Sequence, residues 1–187
     1  MPIHRLNHAV LYVSNVARSV DFYVGTLDFR VVLSLGAGAA FLQAQASTND
    51  HDLGLFEVGA SAGSSTAGRD QVGLYHLAWE VHTLTELSEM AERLSRAGFL
   101  VGATDHSITK SLYGRDPDGL EFEIEWRVPT PLLTPELLDR ARRPVPLDLD
   151  GEIARYGATT IGATGITSAP DLQEPSENTN YTAAQKN

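Results

Sequence analysis

His8 and His76 stand at the same place in two echoing segments, Leu6-Asn7-His8-Ala9-Val10-Leu11-Tyr12-Val13 and Leu74-Tyr75-His76-Leu77-Ala78-Trp79-Glu80-Val81. Further along, Glu121, Glu123 and Glu125 alternate with Phe122, Ile124 and Trp126. Imidazole nitrogens and carboxylate oxygens bind divalent first-row metals. Two imidazoles and one carboxylate on one face of the ion leave positions open for reactants, as in the facial triad of non-haem Fe(II) oxygenases. The chain has no cysteine, which removes disulfides, zinc ribbons and thiol nucleophiles, so any metal must be held by His, carboxylate and water. The plainer reading of these residues is a satisfied polar histidine in each strand and a wet strand face of glutamates. Two features weigh against it: the equal register of the histidines, and three same-face carboxylates that repel unless a cation or solvent relieves them.

The elements that must position these groups follow from pattern. Residues 6–13 and 74–81 are short and rich in β-branched or aromatic side chains, which reads as strands. Alternation places Leu6, His8, Val10 and Tyr12 on one face, and Leu74, His76, Ala78 and Glu80 on the equivalent face. A helix is expected over 15–27, with Val16, Val20, Tyr23, Val24 and Leu27 at helical steps and Ser14 or Asn15 as cap. A second is expected over 84–97, with Leu84, Leu87, Met90, Ala91 and Leu94 inside. Thr83 with Glu86 forms its capping box and Gly98 ends it. Strand-like segments follow each helix, at 29–35, 39–44 and 52–58, then at 99–103, 109–114 and 120–127.

The chain is thus a βαβββ unit written twice, about 3–59 and 73–127, offset by 68 residues and joined by a Gly/Ser-rich linker over 60–68. The class is α+β, with the two modules of residues 1–127 pairing into a cupped, partly closed mixed sheet around the metal. Residues 128–156 carry five prolines and a short helical stretch near 135–142, expected to wrap the body; residues 157–187 are expected to form a mobile tail.

At 187 residues with 42% apolar and 20% charged residues, the composition is that of a soluble globular domain. A net charge of −10 opposes nucleic-acid binding, and no apolar run is long enough to span a bilayer. The start, Met1-Pro2-Ile3-His4-Arg5, lacks an apolar stretch behind a basic end, so no export signal is expected and a cytoplasmic location fits. His4 and His82 read as surface residues.

Asp116-Pro117-Asp118-Gly119 precedes Glu123, and with the repeat and the paired histidines it resembles the vicinal oxygen chelate superfamily over residues 3–127. That superfamily holds glyoxalases, extradiol dioxygenases, fosfomycin resistance enzymes and bleomycin-binding proteins. By itself the tetrapeptide is only a turn signature. His51-Asp52-Leu53-Gly54-Leu55 and the segment from His106 to Tyr113 are similar to those of type I extradiol catechol dioxygenases, although the His106–Tyr113 interval is about two residues shorter than in the two-domain enzymes. The resemblance implies His8, His76 and Glu123 as ligands of Fe(II), with Mn(II) as the other candidate. It implies His51, His106 and Tyr113 as catalytic, and an aromatic diol and O2 as substrates, cleaved beside the diol to a ring-opened semialdehyde. It also implies a homodimer or higher homo-oligomer.

Two readings compete on the same fold. A glyoxalase-like isomerase or thiol transferase would add a carboxylate from the last strand of the first copy, where Leu55 is the best-aligned residue and Glu57 lies on the same face. A non-catalytic drug-binding protein would have no need of the metal ligands.

Overall fold

The structure, a computed structural model, describes residues 2–65, 70–141 and 143–164. The helices start and stop where the capping chemistry places them. Helix α1 (Val16–Gly25) has Asn15 at its N-cap, accepting from the Arg18 N–H, and Oε2 of Glu57 accepts from the Val16 N–H at 3.0 Å. Helix α2 (Leu84–Ala97) opens on the Thr83–Glu86 capping box and closes on Gly98 at φ 77°, a left-handed conformation that glycine adopts without Cβ strain. Leu84, Leu87 and Leu94 of α2 are fully buried, each stabilising by roughly 1.5–3 kcal/mol.

The first module forms one sheet of β1 (Ala9–Val13), β2 (Arg30–Ser34), β3 (Ala39–Gln43) and β4 (Leu53–Glu57), ordered β1-β4-β3-β2. The second forms β5 (His76–Glu80), β6 (Leu100–Asp105), β7 (Thr109–Arg115) and β8 (Glu121–Arg127), ordered β5-β8-β7-β6 with β9 (Val145–Pro146) added at the edge. In both, the first strand runs parallel to the last. The βαβββ unit is therefore present twice, as two separate open sheets rather than one shared one.

Alternation sorts each sheet into two faces. Leu11, Val13, Leu53 and Leu55 are buried beneath the helices, while Val10 and Tyr12 of β1 are exposed. In β8, Phe122, Ile124 and Trp126 take the buried side. Gly114 is needed opposite Phe122, because a Cβ there would come within 2.8 Å of the ring's Cε2.

The modules share one core: Phe22 of α1 packs against Phe99 at 4.6 Å and Phe122 at 5.7 Å, and Phe29 against Trp79 at 5.0 Å. The turn at 116–119 also ties the halves. Asp118 accepts from the Ser14 N–H and hydroxyl at 2.9 and 2.6 Å, and pairs with Arg18. Tyr23 donates to Asp116, whose other oxygen holds the N–H groups of Asp118 and Leu120.

The C-terminal segment carries a 3-10 turn (Thr130–Leu132), α3 (Pro135–Arg140) and α4 (Leu149–Tyr156). Residues 157–164, grouped with the tail on composition, make specific bonds in the structure. Thr85 donates twice to the Ala158 carbonyl, Gly162 donates to His82, Ala163 to Arg127, and the Trp126 indole to Thr160. The rest of that tail, 165–187, and residues 66–69 of the linker lie outside the described residues.

Candidate metal centre

The second sheet gathers four of the six residues singled out above. His76 opens β5, Glu123 sits mid-β8, and Tyr113 lies directly across from Glu123 on β7. The Nε2 of His76 is 3.1 Å from Oε2 of Glu123. Tyr113 donates to Oε1 of Glu123 at 3.1 Å, and Nε2 of His106 lies 2.8 Å from the Tyr113 hydroxyl. A phenol has one proton to give, so with Tyr113 donating to Glu123 its oxygen accepts from His106, which assigns the Nε2–H tautomer to His106. A carboxylate only accepts, so His76 presents Nε2–H to Glu123, and its buried Nδ1 has no hydrogen-bond partner among the described residues. Burial, then the charge of Glu123 and the hydrogen bond to it, push the Tyr113 phenol up to about 12. It stays protonated, and a donor, at neutral pH.

The three glutamates of β8 are not equivalent. Glu121 pairs with Arg115 at 2.8 Å and Glu125 with Arg127 at 3.1 Å. Glu123, only 8% exposed, has His76 and Tyr113 instead of an arginine. Burial raises the Glu125 carboxyl pKa; Arg127 opposes this, and the Glu123 and Glu80 charges add to it. His106, Tyr113, Glu123, Glu125 and Arg127 line one open cleft of about 330 Å³. Sequence reading passed over Arg127 and Thr109 in this cleft; the signal was there, since Thr109 shares the alternating face of Tyr113 and pairs in register with Arg127. A larger cleft of about 430 Å³ between the modules, lined by Phe29, Trp79 and Met90, contains none of the six residues.

The other two belong to the first module. His8 lies just before β1 rather than within a strand: ladder pairing starts with the Ala9 N–H donating to Asp52. Asn7 explains the late start, since its side chain contacts His8 Nδ1 at 2.7 Å and its carbonyl accepts from Asn49, local bonds that compete with a ladder. The His8 ring is 4.4 Å from that of His51, which meets Phe41 edge-on at 5.1 Å and Asp50 Oδ2 at 3.0 Å. A single chain thus brings His76 and Glu123 together but not His8. Among the described residues, no three His, Cys, Asp or Glu side chains form a group able to hold a metal ion. The physical reason is topological: β1 and β5 are outer strands of separate sheets, and no strand pairing among the described residues joins them. Glu57, the candidate extra carboxylate, accepts from the N-terminus of α1.

A family model described as the Glyoxalase/Bleomycin resistance protein/Dioxygenase superfamily matches residues 5–124, and the chain belongs to that superfamily. A catechol-2,3-dioxygenase of Bacillus subtilis (strain 168) is 29% identical over 119 residues, covering 64% of this chain and 40% of the relative. A biphenyl-2,3-diol 1,2-dioxygenase 2 of Rhodococcus globerulus is 30% identical over 119 residues, 63% of this chain and 60% of the relative. The chain therefore spans less than two thirds of these relatives. A glyoxylase/bleomycin resistance protein/dioxygenase domain from Frankia sp. EAN1pec shares the fold, with a TM-score of 0.54 at 23% identity over 66% of this chain and 92% of that one. No helix among the described residues is long and apolar enough to cross a membrane.

Proposed function

We propose that this chain is a metal-dependent extradiol dioxygenase that opens a catechol-type aromatic diol with O2, using Fe(II) or, in its place, Mn(II). The observation that carries the reading is the row His106–Tyr113–Glu123–His76, two metal-type donors continued by two proton-bearing groups, of which His106, Tyr113 and Glu123 line one cleft. His76 Nε2 and Glu123 Oε2 face each other across 3.1 Å and fit as two ligands of a divalent ion. His8 is the third, and in this proposal it arrives with His51 from the first module of a second copy, making the active form a homodimer or a higher homo-oligomer. The outer positions of β1 and β5 in the sheets of the described residues support that arrangement. So do exposed apolar side chains beside the two histidines: Val10, Tyr12, Leu74 and Tyr75.

The bound ion would supply Lewis acidity toward the diol oxygens and an open position for O2. The chain's own residues then have separable tasks. Tyr113, held neutral, would turn its single proton from Glu123 to a diol oxygen. His106, hydrogen-bonded behind it, exchanges the proton. His51, an imidazole packed between His8 and Phe41, would move a proton on the opposite side. Arg127, paired with Glu125, offsets that carboxylate's charge in a cleft that is to receive an anionic ring. The two diol-dioxygenase relatives support this substrate class. The engagement of Glu57 with α1 favours dioxygenase over isomerase, since it occupies the carboxylate an extra ligand would need.

The test is anaerobic reconstitution with Fe(II), then a panel of catechols followed by O2 uptake and the yellow ring-opened product. His76→Ala should lose the metal, whereas His51→Ala should keep it and react slowly with O2. Unimpaired turnover in both variants would end this reading.

A further inference from the structure

We propose that the C-terminal segment is a brace that positions His106, acting through the fully buried ammonium of Lys110. Lys110 Nζ lies 2.5 Å from Asp105 Oδ1, 2.9 Å from Glu152 Oε2 on α4 and 3.1 Å from the Ser107 carbonyl, with the Tyr156 ring 5.7 Å away. Arg140, at the end of α3, reaches the other oxygen of Asp105 at 2.7 Å. Two cations thus meet two carboxylates on the helix-covered face of the second sheet, away from the cleft. Lys110 alternates with Ser111, which faces the same way as Tyr113.

What this network grips is the turn between β6 and β7. Asp105 ends β6, Thr109 begins β7, and His106 is the first residue of the connection. Ser107 adopts φ 71°, a left-handed conformation that a non-glycine residue holds only when its surroundings over-determine it. They do: its N–H donates to Asp105 Oδ1 at 2.6 Å and its carbonyl accepts from Lys110. The His106 backbone is therefore clamped on its C-terminal side by a strained residue and on its N-terminal side by Asp105, both held by one ammonium. On the far side of the sheet, the same residue's ring donates to Tyr113. Helices α3 and α4, which contribute no residue to the candidate ligand set, set the aim of a group that does face the cleft. A buried pair of this kind is weak evidence for stability as such; locking an outer partner of a reactive group is a role it can fill.

The inference deepens the functional reading, and rests on it only for the claim that His106 serves catalysis; the position of the ring is tested without metal or substrate. In the metal-free full chain, histidine-ring 1H–15N spectra report the His106 tautomer, assigned by the signal missing in His106→Asn. Lys110→Met should keep a cooperative fold while the His106 ring loses its fixed Nε2–H form and averages between tautomers. Thr83→Ala, which weakens α2 elsewhere, should lower thermal stability and leave that ring unchanged. Where Lys110→Met does not fold, Arg140→Gln decides, because its side chain is half exposed and its loss only loosens Asp105; the expected result is partial averaging of the same signal. A folded Lys110→Met, or failing that Arg140→Gln, with a wild-type His106 ring signal overturns the brace. That result would leave diol cleavage standing, and failure of diol cleavage would leave the brace standing.

Discussion

Tyr113 is the middle link of the row, because its one hydroxyl accepts from His106 and donates to Glu123. Removing it should uncouple the two. Tyr113→Phe is expected to keep the fold and to lower metal affinity or turnover by about 10- to 100-fold, the usual cost of losing an outer partner of a ligand; titration with Fe(II) under anaerobic conditions, followed by initial rates, checks it. At this scale sequence carried much of the site. The residues singled out by type, His76, Glu123, Tyr113 and His106, form one hydrogen-bonded row, even though the interval before Tyr113 is short for the family. Their mutual distances were not legible, because alternation assigns a residue to a face and says nothing about which neighbours that face will meet. Nor was the pairing of Glu121 with Arg115, which depends on cross-strand register.

Among the elements, those written in capping chemistry and periodicity were the clearest. The second helix begins at the Thr83 box and ends at Gly98 as read, since each terminus is decided by local hydrogen bonds. Helix α4 escaped notice because Gly151 falls in its first turn and interrupts the apolar steps, although the Asp148 N-cap, Asp150 and Glu152 in the first turn and Arg155 in the last are local signals for it. The early placement of the first strand, with His8 inside it, failed because strand ends are set by a partner, and the partner here starts pairing at Ala9. Strand β7 has its own constraint. Phe122 fills the space where a side chain at position 114 would stand, so Gly114→Ala should destabilise the fold by about 1–3 kcal/mol through overpacking. Chemical denaturation measures this, and an unchanged midpoint would contradict the packing described.

For the whole molecule, the decisive fact is that two sheets share one core yet keep their leading strands apart. If the ligand set is completed between copies, His8→Ala and His76→Ala proteins should each bind little Fe(II) alone. Co-expressed as mixed oligomers, they should recover part of the binding, because one interface then regains all three donors. Equilibrium dialysis of the separated and mixed species distinguishes this from a site built within one chain, which mixing cannot restore.

Acid provides a second global test. Burial alone would raise the Asp105 carboxyl, but hydrogen bonds from Lys110 and the Ser107 N–H, with the charges of Lys110 and Arg140, hold it below its ordinary 3.8. An acid depressed in the folded state adds stability above its unfolded pKa and gives it up as pH falls through the folded one. The difference in melting temperature between wild type and Asp105→Asn should therefore be full at neutral pH and shrink as pH drops below 3.8.

The flanking arginines of β8 have a consequence for which ions the cleft can accept. If the proposed ion binds there, the pairing of Arg115 and Arg127 with their glutamates would leave it a single unclaimed carboxylate among nitrogen donors, a setting that suits transition metals. If either arginine were neutral, a second anionic oxygen would become available, and the same cradle would drift toward the oxygen-loving alkaline-earth cations that cells hold in far greater supply. Discrimination among metals would then reside as much in these basic neighbours as in the ligands themselves.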